Sequence, residues 1–387
     1  MKVAYAKLYK DGTLIISKKR FTINPNIVKS YTIDSYGKKP WKNECKLIKK
    51  VKIESFIKTN NIAFWFENCI NLTTLIDFQK LDVSDCTDFF GVFLNCKSLI
   101  DIDSLQTWNV SNGTDFSNMF AYCQSLADLN GLRTWNVSNG TDFSCMFEYC
   151  EELQNINELQ TWNVSNGTNF SNMFADCKSL ENLNGLQNWN VSNGTDFTRM
   201  FACGKSLESL NGLENWNVSN GRNFTRMFMY CVSLQNLNAL QNWDVSNGTD
   251  FSTMFASCQS LQDLNALQNW NVSNGSDFSN MFADCESLQD LNDLQNWDMS
   301  NGTDFSRMFT YCVSLQNLNA LQNWNVSNGT YFSFMFDNCK SLQEISLSNT
   351  LDILKEEMFT KCNPKLKIHW NNHIYTYADL LEYQTIY

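Results

Sequence analysis

Apolar and polar residues follow each other along this chain in a pattern that returns every 27 residues. Tryptophan recurs at this interval without slippage, at positions 108, 135, 162, 189, 216, 243, 270, 297 and 324. Ten clear units begin at residue 81, where Leu81 replaces the tryptophan, and one degenerate unit precedes them. A single unit cannot cover its own apolar residues, so the period predicts a solenoid in which neighbouring units cover each other.

Within one unit the apolar spacing predicts a strand, a short helix and a second strand. Trp108 and Val110 are two residues apart, which is typical of a strand with one buried face. The apolar residues at 116, 119, 120 and 123 fall on one face of a short helix. We expect the main strand over residues 126–130, where leucines follow. The predicted fold class is therefore an α/β repeat, with parallel strands stacked coil on coil and short helices on the other side.

The two ends of the chain depart from the repeat and predict terminal caps. Residues 1–53 are interpreted as a basic β-rich cap with a hairpin at Asp11-Gly12, residues 54–350 as the solenoid, and residues 351–387 as a closing cap. Met358-Phe359 and Cys362 are interpreted as a degenerate last turn, followed by a hairpin and a short helix. Residues 1–60 carry 15 Lys and Arg against 4 Asp and Glu, whereas the remainder carries 14 against 36. The cap and the repeats are thus expected to have surfaces of opposite charge.

The repeat resembles that of the BspA-like leucine-rich repeat proteins. The pattern W-[ND]-V-S-N-G-T-[DN]-F-S-x-M-F-x-x-C-x-S-L-x-x-L-x-x-L covers residues 81–346 closely and 54–80 loosely. Two features differ from the family pattern: S-N-V-T is S-N-G-T here, and the final L-x-L is lengthened to L-x-x-L. The resemblance implies a leucine-rich-repeat solenoid, a cell-surface or secreted location, a role in adhesion and binding, and no catalytic residues.

Fifteen cysteines raise the alternatives of disulfides, zinc or buried thiols. Nine of the ten clear units have a cysteine at the same inward position, as at Cys96 and Cys123, and the unit from Trp189 has Cys203-Gly204 instead. Pairing alternate units would break their equivalence, and no C-x-x-C spacing suits zinc, so buried thiols are favoured. No metal and no cofactor is predicted.

Asparagine and aspartate raise three further alternatives. Asn109 and Asn112 stand in glycosylation sequons, but turn chemistry and side-chain hydrogen bonds between coils are favoured. The column of Asp115, Asp142, Asp196 and Asp250 is compatible with calcium, although one carboxylate per coil favours a capping role.

The candidate ligand-binding surface consists of the residues that flank the middle leucine of the predicted main strand. In leucine-rich repeats these side chains face the open side of the curve. They are nearly uniform from coil to coil, which predicts a repetitive partner such as a glycan, or else a plain solubilising ladder. The candidates are Asp101, Asp103, Asp128, Asn130, Asn155, Asn157, Asn182, Asn184, Asn211, Asn236, Asn238, Asp263, Asn265, Asp290, Asn292, Asn317 and Asn319.

These observations favour a non-catalytic binding or adhesion protein with an unidentified protein or glycan partner. One alternative is a structural protein whose polar lattice self-assembles or orders water or ice. Another is an enzyme with a site in a cap, around His369, Trp370 and His373. We expect no nucleic-acid partner, since the acidic repeats repel phosphate, and no transmembrane segment. The start lacks the features of a secretory signal, so the cell surface and the cytoplasm both remain open as locations, as does the oligomeric state.

Overall fold

In a computed structural model of the chain, residues 4–20, 24–33, 39–346, 356–370, 373–376 and 379 are described. The chain divides into two compact units, residues 1–191 and residues 192–387. Each unit contains a stack of 27-residue coils, and each is described here by itself.

The first unit begins with the predicted cap. Strands β1 (Ala4–Tyr9) and β2 (Thr13–Ser17) form the expected antiparallel hairpin around Asp11-Gly12. The hairpin prediction is therefore confirmed. Gly12 has φ +86°, a left-handed conformation that suits the turn. The other strands of this unit are β3 (Ile27–Ile33), β4 (Lys50–Ile53), β5 (Ile57–Lys58), β6 (Thr74–Ile76) and β7 (Leu81–Asp82).

The cap sheet continues into the first coils. Its strand order is β3-β1-β2-β4-β6, with antiparallel pairs on the cap side and parallel pairs from β2 to β4 and from β4 to β6. The short strands β5 and β7 form a separate parallel pair. The parallel strands β4 and β6 thus begin the arrangement in which one coil pairs with the next.

The helices of the described residues are short 3₁₀ segments, whereas an α/β repeat was predicted. They span Lys42–Leu47, Phe78–Lys80, Asp103–Leu105, Asn130–Leu132, Asn157–Thr161 and Asn184–Leu186 in the first unit, and Asn238–Leu240, Asn265–Leu267, Asn292–Leu294, Asn319–Asn323 and Glu356–Phe359 in the second. None of the helices in this described part of the chain has the length and apolar character needed to cross a bilayer.

The predicted helix over residues 116–123 is wrong: two successive four-residue turns occupy this segment. The amide of Met119 donates to Phe116 O (3.3 Å), and that of Cys123 donates to Phe120 O (3.1 Å). The third residue of each turn, Asn118 or Tyr122, has a left-handed φ of 57° or 62°. The first and last residue of each turn point inward, so two turns in series reproduce the i, i+3, i+4, i+7 spacing of a helix.

These turns also form the regular hydrogen-bond ladder between coils. In the first unit the amides of residues 116, 118, 120 and 122 donate to carbonyls 26 residues later, at 2.9, 2.9, 2.9 and 2.6 Å. In the second unit the amides of residues 224, 226, 228 and 230 do the same at 3.0, 3.0, 2.9 and 2.8 Å. Isolated parallel bridges mark the beginning of this ladder, for example between Asp115 and Asp142.

The predicted main strand over residues 126–130 is also wrong for the inner coils. There the chain turns into the 3₁₀ segment Asn130–Leu132, with the amide of Leu132 donating to Leu129 O (2.8 Å). Leucines three residues apart align on one side of a 3₁₀ helix, so the lengthened L-x-x-L is the reason. Strands at this position occur at the two ends of the repeats, as β6 and as β8 (Glu344–Ser346), where a cap strand pairs with them.

Identical residues stack on each other within the core. In the first unit Trp108, Trp135, Trp162 and Trp189 lie 6.3, 6.5 and 6.3 Å apart by ring centroids. Nε1 of each of these four tryptophans donates to a leucine or phenylalanine carbonyl 30 residues earlier, as Trp135 does to Leu105 O (3.0 Å). This satisfies the one polar atom of a buried ring and fixes its register between coils.

The second unit ends in a smaller sheet. Strand β9 (Lys367–Trp370) pairs with β8 in parallel and with β10 (His373–Thr376) in antiparallel fashion. Met358, Phe359 and Cys362 are buried, and Phe359 stacks on Phe336 at 5.5 Å, so the predicted closing turn and hairpin are confirmed. The short helix predicted after them lies almost entirely outside the described residues.

Candidate functional site

Sixteen of the seventeen candidate binding residues lie in eight pairs, each on the turn that leads into a 3₁₀ segment, whereas Asn211 is exposed on a turn that no such segment follows. In seven of these pairs the first residue accepts, through Oδ1, the backbone amide of the second, as Asp128 does from Asn130 (3.1 Å) and Asn236 from Asn238 (3.2 Å). Apart from the exposed Asp101, the first residue of each pair is half-buried, and the second residue is exposed. We call the exposed second residues, such as Asn130, Asn238 and Asn265, the open column.

The hydrogen bond holds the side chain of the first residue of each pair in place, and the side chain of the second residue is exposed to solvent. An Asx turn consumes one oxygen of the first residue and holds the backbone ahead of the helix. The side chain of the second residue takes no part in this bond. The sequence predicted that these residues lie on a strand, whereas the structure places them on a turn; the second residue of each pair is exposed.

Carboxylates repel each other where aspartates lie close together in or beside the open column. Burial, with the like charges of Asp101 and Asp128, raises the pKa of Asp103. Next to the column in the second unit, burial and the neighbouring Asp290 and Asp263 raise the pKa of Asp293, the residue that follows Asn292. A cationic group brought to either place would lower the repulsion between these carboxylates.

The predicted side-chain ladder between coils is present beside the sequons. Asn112 Nδ2 donates to Ser84 O of the preceding coil (2.8 Å), and Asn247 Nδ2 donates to Ser219 O (2.8 Å). Asn109 Oδ1 accepts the amide of Ser111 (3.1 Å) in another Asx turn. Both asparagines of a typical coil thus have a structural role, as the favoured interpretation required.

The cysteine column is buried and joined to the backbone. Cys123 Sγ lies 3.3 Å from Phe93 O, and Cys258 Sγ lies 3.3 Å from Phe228 O. Burial raises the pKa of Cys123 to about 12. All fifteen cysteines fall in the described ranges and none forms a disulfide, which confirms the interpretation of buried thiols for the column.

The aspartates of the Asp115 column were predicted to cap a helix, which is wrong because residues 116–123 form turns; each aspartate instead closes a turn with the residue two positions later. Asp115 Oδ1 accepts the amide and the hydroxyl of Ser117, at 2.9 and 2.5 Å, and Asp142 does the same for Ser144 at 2.9 and 2.6 Å. Across the described residues, no group of three or more metal-ligating side chains comes together.

The histidines of the closing cap lie on its hairpin. His369 Nε2 is 2.5 Å from Glu344 Oε1, and His373 is exposed on β10, in register with Trp370. The side chain of Trp370 lies outside the described residues. The residues proposed for an enzyme site are therefore on adjacent strands, with His369 bonded to a carboxylate of β8.

The structure draws attention to a second surface that sequence reasoning missed. The turn residues equivalent to Asn118 and Tyr122 have positive φ in coil after coil, although most are not glycine. This conformation costs a residue with a side chain about 1–2 kcal/mol. We call these two sets the left-handed columns. They contain Phe64, Asn118, Cys145, Asn172, Arg199, Arg226, Thr253, Asn280, Arg307 and Phe334, and Asn68, Asn95, Tyr122, Tyr149, Asp176, Cys203, Tyr230, Ser257, Asp284, Tyr311 and Asn338.

A signal for these columns was present in the sequence. They vary from unit to unit, whereas the tryptophan, glycine and phenylalanine positions around them scarcely change. The predicted helix concealed this pattern, because in a helix the outward residues would have the same backbone conformation as their neighbours rather than a left-handed one.

Stacked 27-residue coils, each burying leucines at a fixed spacing, define a repeat protein of the leucine-rich type. The family described as "Mycoplasma protein of unknown function, DUF285" matches residues 60–182, 154–263 and 233–350, three overlapping stretches that together span residues 60–350. The chain belongs to this family. The family's description carries no function, so membership assigns none.

Several solved structures are similar to the chain. A leucine rich cell surface protein from Faecalibacterium prausnitzii is 17% identical with a TM-score of 0.45, over 96% of this chain and 93% of that one. Leucine-rich repeat proteins from Bacteroides ovatus (15%, TM-score 0.41, 96% and 98% covered) and Eubacterium ventriosum (15%, TM-score 0.42, 97% and 98% covered) are similar as well. No curated protein sequence matches the chain. The family assignment therefore rests on the repeat match alone.

Proposed function

We propose that this chain is a non-catalytic binding protein that presents the open column to a repetitive ligand, a glycan in the first instance. The observation that carries the proposal is the register of the column: seven coils offer an exposed amide or carboxylate at the same position, behind an Asx turn that fixes the backbone. A preorganised surface loses little entropy on binding. A ligand whose own units repeat can contact successive coils in the same way.

Resemblance to the BspA-like proteins supports adhesion as the setting of this binding. Display on the cell surface belongs to the same proposal. It predicts that protease added to intact source cells cleaves the protein. Cleavage only after lysis would contradict surface display and direct the search for a ligand to the cytoplasm.

The binding proposal is tested with the full chain on a glycan array. We expect binding to glycans of repeating structure, and we expect Asn238→Ala/Asn265→Ala to weaken it because two adjacent coils lose their amides. The control is Gln235→Ala/Gln262→Ala, which alters exposed residues of the same coils outside the column. Binding that both variants lose equally, or that neither loses, would remove the open column from the proposal.

A further inference from the structure

The left-handed columns retain side chains that their backbone disfavours. Asparagine, which tolerates this conformation, occupies it at Asn118, Asn172 and Asn280. Arginine occupies the same position at Arg226 and Arg307, and tyrosine occupies the second left-handed column at Tyr230 and Tyr311, with φ values between 55° and 61°. Local folding does not explain these four residues. Strained positions that the fold does not require point to a function.

Positive charge in the coils of the second unit is confined to the turn segment that carries these columns. Between residues 192 and 346 there are six Lys and Arg, and all six occupy positions equivalent to 114–124 of the coil. Outside this segment, residues 192–346 carry Asp and Glu but no Lys or Arg; the segment itself carries acidic residues as well, for example Asp250 and Asp284. The turn segment is therefore the one face of these coils that offers guanidinium and ammonium groups.

Two coils combine arginine with tyrosine in the same arrangement. Arg226 and Tyr230 share one coil and Arg307 and Tyr311 another, and all four are exposed, the two tyrosines by 48% and 43%. The guanidinium carbon of Arg307 lies 5.3 Å from the centre of the Phe334 ring. This cation–π contact limits the motion of the arginine while its edge remains accessible.

We propose that Arg226, Tyr230, Arg307 and Tyr311 bind a carboxylate-bearing segment of another protein. Arginine pairs with carboxylates in bidentate fashion, and arginine and tyrosine are the residues most enriched at the energetic centres of protein interfaces. The coils between the two pairs carry Thr253 and Asn280 at the arginine position. A ligand with a short repeat would meet different groups in successive coils, which favours a protein over a glycan.

This inference goes beyond the proposed function, because it concerns another face and another class of partner. The probe is a phage-displayed library of random linear peptides selected on the immobilised full chain. We expect enrichment of sequences rich in Asp and Glu. A synthetic peptide from the selection then gives Kd by fluorescence polarisation.

The test variant replaces all four residues by asparagine: Arg226→Asn, Tyr230→Asn, Arg307→Asn and Tyr311→Asn. We expect Kd to weaken roughly tenfold or more and Tm to stay the same or rise, since asparagine suits the left-handed backbone. A merely structural role would lower Tm instead. Asn238→Ala/Asn265→Ala is the control and should leave peptide binding unchanged.

Three results would overturn the inference: a selection without acidic sequences, a Kd that changes less than about threefold in the four-residue variant, or an equal loss in the control. Failure of glycan binding with intact peptide binding would reject the proposed function alone. Failure of peptide binding with intact glycan binding would reject this inference alone.

Discussion

Gly248 lies against the ring of Phe251, and the replacement Gly248→Ala tests why glycine occupies this position of the S-N-G-T segment. A Cβ atom at this position would be 2.4 Å from Phe251 Cζ and 3.0 Å from Val245 O. The ring has no room to retreat. It is fully buried and stacked between Phe224 and Phe278, with centroids 5.6 Å away on each side.

Two opposing effects set the size of the change. Gly248 is not among the glycines with positive φ, so alanine would stabilise the fold by about 0.4–1 kcal/mol through the unfolded chain. Overpacking a buried site costs about 1–3 kcal/mol. The steric cost is the larger, and we expect a net loss of roughly 0.5–2.5 kcal/mol.

Hydrogen-exchange mass spectrometry of the native chain measures this loss in the coil concerned. Protected amides of residues 243–269 should exchange roughly 2- to 70-fold faster in Gly248→Ala. In a Phe251→Leu background the smaller side chain makes room, so the same alanine should cost less. Unchanged or slower exchange in the single variant, or an equal cost in both backgrounds, would refute the steric explanation.

Three further predictions concern other contacts of the described residues. Ellman's reagent at pH 8 should titrate at most two of the fifteen thiols rapidly in the folded protein, because thirteen are buried, and rapid reaction of more would contradict that burial. Trp297→Phe removes the bond from Nε1 to Leu267 O (2.9 Å) and should cost about 1–3 kcal/mol, measured by urea unfolding; an unchanged midpoint would argue against the bond. Burial raises the pKa of Glu44, but hydrogen bonds from Lys29 and Tyr31 outweigh it and lower the pKa overall. The resulting stabilisation is present above the ordinary carboxyl pKa and is lost as the pH falls through the lowered value, so Glu44→Gln should flatten the decline in stability below roughly pH 5. Identical pH profiles would contradict this.

The buried core could be predicted from the sequence because its residues follow each other at short, regular spacings within each coil. Phe116, Met119, Phe120 and Cys123 were expected to be buried together, and they are. Their backbone could not be predicted from this spacing, because two turns in series and one helical face place the same residues inward. The backbone distinguishes the two arrangements: the amides of residues 116, 118, 120 and 122 donate to the next coil, whereas in a helix the later amides would donate within the segment.

The candidate surface was predictable in part for the same reason. Asp128 and Asn130 were expected to be polar and to flank a leucine, and Asn130 is exposed. The bond from the amide of Asn130 to Asp128 Oδ1 decides that they stand on a turn. The left-handed columns were not found, because the residue type does not reveal the backbone conformation when Asn, Arg and Thr share one position and Asn, Tyr and Asp share the other.

The sequence by itself determined that each unit of this chain contains stacked 27-residue coils with an apolar interior, the first unit beginning with a basic segment and the second ending with a closing turn. The 27-residue period forces neighbouring coils to cover each other, and the identity of the stacked residues fixes their register. Tertiary structure decided where the ladder between coils runs and which residues face the solvent in a left-handed conformation. Those features depend on hydrogen bonds between residues 26 positions apart, which no local pattern of side chains can specify.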